Sequence, residues 1–285
     1  MPLLISLYVG DGTTAKQSAS LWKALSDGPV TMRKIVAGNW KMHTERSSAT
    51  DLVRRLVSGA DRWAPHVEVI VAPPYPFLAD TVDLLRGTRA MVAAQNCHEA
   101  DRGAFTGEVS VPMFGSIGVA ACIVGHSERR QYFGETDDAV GRKMAALLRG
   151  DLLPIYCCGE VRSDREAGRH FEVVGAQVDA AFRDLDGDAI ARTVIAYEPV
   201  WAIGTGLTAT PEQAQEMHAF IRERLRLRIG GRSAGVPLLY GGSCKPDNAA
   251  ALFAQPDIDG GLIGGAALDA DSFHALIDIA GRTGR

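Results

Sequence analysis

Residues 193–225, TVIAYEPVWAIGTGLTATPEQAQEMHAFIRERL, contain the pattern that decides the fold. Their first five residues, TVIAY, are apolar and rich in β-branched types, which predicts a short strand. A helix signature follows, with Thr210 as the N-cap, Pro211 at the first helical position and Glu212 in the first turn. The stretch therefore predicts one strand and one helix, with Glu198 where the strand ends.

The same unit recurs along the chain after residue 32. The eight apolar runs occupy residues 34–38, 67–72, 90–95, 120–125, 153–158, 193–197, 236–241 and 261–266. They are continuously apolar rather than alternating, as in parallel sheets that are buried on both faces. Helix patterns such as ETDDAVGRKMAALL and KPDNAAALFA lie between them. Eight strand–helix units in about 250 residues predict the α/β class and a single (β/α)8 barrel.

The charge of the chain bears on its partners. The 285 residues carry a net charge of −4, which argues against nucleic acid as the main partner. The run RERLRLR, residues 222–228, is basic, but its arginines recur at every second position and so fan out around a helix. We interpret this run as a solvated helix face rather than a binding patch.

Five cysteines form no CxxC pair and no cluster with zinc-ligand spacing. Cys122, Cys157 and Cys158 lie in apolar runs, where cysteine behaves as a small hydrophobic residue. We therefore predict reduced thiols, a cytoplasmic protein and no metal site. The apolar runs are too short to span a membrane, and the first residues, MPLLISLYVGDG, lack the basic region of a signal peptide.

The residues that follow the strands are the candidates for chemistry, because the strand ends of such a barrel meet at one mouth. Glu198 is suited to the role of nucleophile, general base or structural ion pair. His126 precedes a helix start, where the positive end of the helix dipole disfavours a protonated imidazole. A neutral histidine can exchange protons with a substrate oxygen, and Lys41 could neutralise developing negative charge. A structural histidine and an ordinary surface lysine are the alternatives.

Glycine pairs follow the last two strands, in YGGS at residues 240–243 and IGG at residues 263–265. Unshielded backbone N–H groups at this part of a barrel mouth attract phosphate. Tight turns alone are the alternative. Together with a carboxylate, a neutral histidine and a lysine, a phosphate site describes proton abstraction next to the carbonyl of a small sugar phosphate.

Six motifs strongly resemble the triosephosphate isomerase family. They are AGNWKM (37–42), AFTGEVS (104–110), GHSERRQYFGET (125–136), AYEPVWAIGTG (196–206), LYGGS (239–243) and GLIGGAAL (261–268). The resemblance covers about residues 33 to 281, with the motifs in order. It implies a cofactor-free isomerase that interconverts dihydroxyacetone phosphate and D-glyceraldehyde 3-phosphate through an enediolate.

The resemblance also implies roles for single residues. Glu198 would be the base, His126 would serve the two substrate oxygens, and Lys41 with Asn39 would offset the enediolate charge. Glu128 matches the family's supporting carboxylate near the lysine. The backbone N–H groups that would hold the phosphate belong to Gly204, Ser243, Gly264 and Gly265.

Two larger features follow from the resemblance in the same way. The segment PVWAIGTGLTA is similar to the lid that closes over the phosphate and excludes water. The long segment after the third strand would dock into a second subunit, with Thr106 reaching the neighbour's site. A homodimer is therefore expected.

A few positions depart from the family's common pattern. They are His43, Thr44, Leu207 and Cys244, and none coincides with a residue that has a predicted role. Two alternatives to the triose activity remain at this point. One is an isomerase for a four-carbon ketose phosphate such as erythrulose phosphate, and the other is a non-catalytic barrel.

Residues 1–31 stand outside the repeating pattern. We expect them to form a flexible N-terminal extension and residues 32–285 to form the isomerase-like barrel. Two interpretations of the extension are open. It is either dispensable, or it packs Trp22 and Leu25 against the barrel and adds stability.

Overall fold

The computed structural model describes residues 33–283, so the predicted extension, residues 1–31, lies outside the described residues. Eight strands, β1 to β8, alternate with helices along this part of the chain. Their bounds are Lys34–Asn39, Val67–Ala72, Met91–Ala94, Ala121–Val124, Leu153–Cys158, Val194–Tyr197, Leu238–Tyr240 and Gly260–Ile263.

The eight strands form one closed, parallel barrel. Each strand pairs with the next in chain order, and β8 pairs with β1, where Ile35 lies opposite Gly260. The predicted single (β/α)8 barrel is therefore confirmed. Because all strands run in the same direction, the residues that follow them gather at one rim.

Eleven α-helices, α1 to α11, lie within the described residues. Their bounds are Arg46–Ser58, Leu78–Leu84, Val111–Ser116, Ser127–Phe133, Asp137–Arg149, Arg162–Glu166, His170–Ala181, Gly187–Ala191, Pro211–Ile229, Ala249–Phe253 and Ala270–Arg282. Short 3₁₀ helices occupy Ala60–Arg62, Tyr75–Phe77, Val200–Ala202, Gly230–Gly235 and Gly265–Leu268.

The start of α9, the helix Pro211–Ile229, follows the predicted capping chemistry. The backbone N–H of Gln213 donates to the Thr210 hydroxyl at 3.2 Å, and the N–H of Thr210 donates to Gln213 Oε1 at 3.0 Å. This reciprocal pair forms a capping box at the start of α9. The helix predicted in KPDNAAALFA is shorter than expected, because residues 245–248 form a turn and α10 begins only at Ala249.

The hydrophobic core has an inner and an outer part. The inner part fills the barrel with alternate strand residues such as Ile35, Ala37 and Ile70. The outer part packs the intervening residues, such as Val36, against the helices. Both faces of each strand are thus buried, which explains why the runs are continuously apolar.

The basic run 222–228 is only partly the solvated face that we predicted, because Arg226 has 59% of its side chain exposed whereas Arg222 is engaged inside the fold. Arg222 has only 16% of its side chain exposed and donates to Asp259 Oδ2 at 2.7 Å. It also donates to Asp257, and Arg224 and Arg228 both pair with Asp179. For Arg222 the interpretation was wrong, because its carboxylate partners come from another βα unit.

Two findings concern membranes and metals. From residue 33 to residue 283, no helix combines the length and the apolar character needed to cross a membrane. Over the same range, no group of three or more His, Cys, Asp and Glu side chains is arranged to hold a metal ion.

Candidate active site

Glu198 follows β6 directly, and its side chain is only 1% exposed. Its carboxylate accepts hydrogen bonds from the backbone N–H of Ser127 at 2.9 Å and from the Ser127 hydroxyl at 3.0 Å. A buried charge is tolerated only where such bonds replace water. The first turn of α4 therefore holds the acid that ends β6.

His126 is the N-cap of α4, two residues after β4 ends. Its Nδ1 accepts from the backbone N–H of Glu128 at 3.2 Å, so this nitrogen carries no proton. In the neutral tautomer assigned by this bond, the proton is on Nε2, which lies 3.1 Å from Glu198 Oε1. The arrangement places a neutral imidazole beside the carboxylate.

Lys41 adopts a left-handed backbone conformation, with φ of 54°. Its backbone N–H donates to Asn39 Oδ1 at 3.0 Å, and its carbonyl accepts from the Gln95 side chain at 2.8 Å. Non-glycine residues with positive φ cluster at functional sites, where the surrounding bonds hold them in place. The Lys41 ammonium reaches Glu128 Oε1 at 2.6 Å.

A cavity of about 420 Å³ opens at the rim where the strands end. Three predicted side chains, those of Asn39, Lys41 and His126, line it. The four residues predicted to bind phosphate also line it, namely Gly204, Ser243, Gly264 and Gly265.

Two predicted residues do not line this cavity. Glu198 turns towards Ser127 and His126, and Glu128 turns towards Lys41. Each still contacts a residue that does line the cavity. We therefore expect the Glu198 side chain to rotate when its carboxylate contacts a molecule bound there.

The backbone at the phosphate end of the cavity is closely braced. Asn248 Nδ2 donates to the carbonyl of Ser243 at 3.1 Å, and the N–H of Gly241 donates to the Tyr197 carbonyl at 2.7 Å. Gly264 precedes the 3₁₀ helix that starts at Gly265, and a Cβ added at Gly265 would meet no atom within 4 Å. Unshielded amides of this kind suit an anionic group.

A buried carboxylate holds the first residues of the predicted lid. Glu160 is fully buried and accepts from Trp201 Nε1 at 2.8 Å and from the Tyr197 hydroxyl at 3.0 Å. Burial raises the pKa of Glu160, and these bonds oppose the rise. Beyond this anchor, the segment from Gly204 to Leu207 is exposed.

Sequence reasoning missed three residues of this site: Ser127, Gln95 and Glu160. Ser127 lies inside the quoted motif GHSERRQYFGET, but nothing in that motif signals a bond to the residue that ends β6, two strands further around the barrel. Gln95 follows β3 directly, so its position at a strand end was the available signal.

The mouth of this parallel (β/α)8 barrel brings together a carboxylate, a neutral imidazole, an ammonium group and bare backbone amides. This combination defines an enzyme class. Such an enzyme moves protons on a small anionic substrate. The comparisons with known proteins identify the family within this class.

The family model described as "Triosephosphate isomerase" matches residues 34–280. The chain is 51% identical over 249 residues to the triosephosphate isomerase of Moorella thermoacetica, covering 86% of this chain and 98% of the relative. It is 52% identical over 249 residues to that of Halorhodospira halophila, covering 87% and 98%. It is 49% identical over 248 residues to that of Flavobacterium johnsoniae, covering 86% and 99%.

The chain therefore belongs to the triosephosphate isomerase family and is an isomerase. The non-catalytic barrel that we considered above is set aside by this finding. The comparisons also give no support to the four-carbon alternative.

Proposed function

We propose that Glu198 is the base with which this chain interconverts dihydroxyacetone phosphate and D-glyceraldehyde 3-phosphate through an enediolate. The observation that carries the proposal is the 3.1 Å contact between Glu198 Oε1 and Nε2 of a neutral His126 beside the cavity. A base and a proton donor are thus already adjacent, next to a cation and to bare amides.

In the proposed reaction, Glu198 removes a proton from the carbon next to the substrate carbonyl. As the enediolate forms, His126 Nε2–H gives its proton to the former carbonyl oxygen and then takes the proton of the neighbouring hydroxyl, so the negative charge passes from one oxygen to the other and the imidazole is neutral again. Glu198 then returns its proton to the neighbouring carbon. General acid–base transfer of this kind contributes on the order of 10²- to 10⁴-fold to a rate.

Lys41 and Asn39 are proposed to stabilise the negative charge of the enediolate. The Asn39 side chain holds the Lys41 backbone in its left-handed conformation, and Glu128 holds the Lys41 ammonium at 2.6 Å. Fixed charges aimed at the developing oxyanion need no reorganisation during the reaction. Glu128 is therefore proposed as a positioning residue for the lysine.

The substrate phosphate is proposed to bind the backbone N–H groups of Gly204, Ser243, Gly264 and Gly265. All four residues line the cavity. Gly204 lies on the lid, so phosphate binding would favour the closed lid and exclude water from the enediolate. This family's lid is a familiar instance of such closure.

The experiment that tests this function compares turnover on two substrates. We expect the chain to isomerise dihydroxyacetone phosphate with a kcat/KM at least about 100-fold above its value for erythrulose phosphate, because a triose fits beneath the closed lid. Equal or higher kcat/KM on the four-carbon substrate would contradict the proposal.

We also propose a homodimer formed through the segments that follow β1 to β4. Large apolar side chains are exposed on these segments, including Met42 at 95%, Phe105 at 47%, Met113 at 54% and Phe133 at 69%. Exposed apolar surface of this kind is typical of an interface. Thr106, at the tip of the third segment, would enter the partner's site. Sedimentation velocity should give the mass of two chains, and Phe105→Asp should shift it towards one.

A cytoplasmic location is proposed from the cysteines. Cys97, Cys122, Cys157, Cys158 and Cys244 are all buried free thiols. Proteins kept in reducing compartments retain such thiols. Fractionation of the source cells, with activity recovered in the cytosolic fraction, tests the proposal.

Residues 32–285 are proposed to form the working isomerase, with residues 1–31 as an extension to it. The family match begins at residue 34, and every residue with a proposed role lies beyond it. A chain that begins at Met32 should keep its kcat within about twofold, because it loses no catalytic group. An insoluble or strongly slowed chain would show that the extension belongs to the working fold.

A further inference from the structure

The residues that line the cavity include two cationic side chains, Lys41 and Lys245, and no carboxylate. The Lys41 ammonium is already paired with Glu128 at 2.6 Å. Lys245 is exposed, and its ammonium makes no hydrogen bond or ion pair with the residues from 33 to 283. Of the two ammonium groups at the cavity, that of Lys41 is therefore already paired, and that of Lys245 can interact with a ligand.

Lys245 differs in this respect from the other lysines of the described residues. Lys34 donates to the carbonyls of Phe253 and Ile258, and Lys143 pairs with Glu135. Both ammonium groups bond to other groups of the fold. Only the charge of Lys245, among the lysines that the structure describes, faces solvent at the site without a partner.

The backbone that carries Lys245 is fixed although its side chain is free. The N–H of Lys245 donates to Asn248 Oδ1 at 2.8 Å, and its carbonyl accepts from the N–H of Ala249 at 3.0 Å. The same Asn248 side chain holds the carbonyl of Ser243. The lysine is thus anchored two residues from a backbone amide that is proposed to bind phosphate.

We propose that Lys245 recruits the substrate: its ammonium attracts the phosphate dianion to the mouth of the cavity and raises the rate of productive encounter. The proposal rests on the function proposed above, because it takes a small organic phosphate as the ligand. A charge on a flexible stem acts at a distance and needs no fixed contact. Its effect therefore falls on kcat/KM rather than on kcat, and salt weakens it.

The test measures kcat/KM for dihydroxyacetone phosphate at two ionic strengths, about 10 mM and about 500 mM. Lys245→Gln should lower kcat/KM about threefold at the lower ionic strength, and Lys245→Glu about tenfold. Both losses should shrink to within about 1.5-fold at the higher one, where the Debye length is about 4 Å. Lys245→Arg, which keeps the charge, should restore the wild-type rate.

Arg62→Gln is the matched control, because it removes one positive charge from an exposed residue of the 3₁₀ helix that precedes β2. That helix leads into a strand and so lies at the end of the barrel opposite the cavity. Its kcat/KM should match the wild type at both ionic strengths. An equal loss in Arg62→Gln and Lys245→Gln would overturn the proposal, since only net charge would then matter.

Two further outcomes separate this proposal from the proposed function. A loss in Lys245→Gln that persists unchanged at high salt would indicate a fixed contact and would overturn recruitment. The affinity for inorganic phosphate, measured by calorimetry, allows the same comparison without turnover. Lys245→Gln should show the same salt-dependent threefold loss of this affinity. If the wild type failed to isomerise trioses, the function would fail, and the phosphate affinities would still decide the role of Lys245.

Discussion

Ser127 holds the carboxylate of Glu198 through two donors at once, its backbone N–H at 2.9 Å and its hydroxyl at 3.0 Å. The pair joins the end of β6 to the start of α4. In this position the proposed base is buried and does not line the cavity. As the proposed base, Glu198 would have to exchange these bonds for contact with the substrate.

Shortening the base tests its role. Glu198→Asp should fold normally but lose about 10²-fold or more in kcat, because the carboxylate retracts by about one bond length and misplacement of about 1 Å carries that penalty. The measurement is turnover on dihydroxyacetone phosphate, with circular dichroism as the check on folding. Near-normal turnover in the folded variant would rule out Glu198 as the base.

Replacing the imidazole tests the proposed proton donor. His126→Asn should lower kcat by about 10²-fold or more. Asparagine is a favoured N-cap, so its side chain can take over the bond that His126 accepts from Glu128, and stability should fall by less than about 1 kcal/mol. Affinity for inorganic phosphate should stay within about twofold. If affinity and kcat fell together, His126 would have a structural role instead.

A substitution next to Glu198 tests how strongly activity depends on the position of its side chain. A Cβ at Gly241 would lie 2.9 Å from Glu198 Cγ and 3.0 Å from the Tyr197 carbonyl oxygen. Gly241→Ala should therefore cost about 1 to 3 kcal/mol of stability and lower kcat at least about tenfold.

Gly231→Ala is the control for that variant, because a Cβ there meets no atom within 4 Å. Its melting temperature and kcat should match those of the wild type. Equal behaviour of the two variants would show that the crowding at Gly241 has no consequence for the base.

Acid should destabilise the fold through His218. This residue is fully buried, and its Nδ1 lies 2.7 Å from the Ala214 carbonyl oxygen. Burial lowers the pKa of His218 from 6.5 to about 4. The unfolded chain therefore binds a proton between about pH 6.5 and pH 4 that the native chain does not. Stability is fully present above pH 6.5 and falls as the pH drops through that window, by about 2 to 3 kcal/mol.

The matched variant is His218→Gln, which cannot titrate. Urea unfolding at pH 7.5 and pH 4.5 should show that its loss of stability is smaller than the wild-type loss by about 2 kcal/mol. An identical loss in both proteins would place the acid sensitivity elsewhere.

The barrel could be predicted from the sequence because each strand is buried on both faces and therefore leaves a continuous apolar run. The proposed roles of His126 and Glu198 could be suggested because both residues sit at strand ends. The bond between Ser127 and Glu198 could not be predicted, because it depends on the distance between two loops that are 71 residues apart. The burial of Arg222 could not be predicted for the same reason, since its partner Asp259 comes from another βα unit.

The pairing of β1 with β8 has a consequence for the nascent chain. Ile35 leaves the ribosome about 225 residues before Gly260, its neighbour across the seam. At ordinary rates of translation that interval lasts roughly 10 to 45 s. Throughout it, one edge of β1 has no partner, and an open strand edge is a template for pairing with other chains. The last βα unit to be synthesised is therefore the one that ends this exposure, so a ribosome that stalls late releases a nearly complete barrel that is still prone to aggregate.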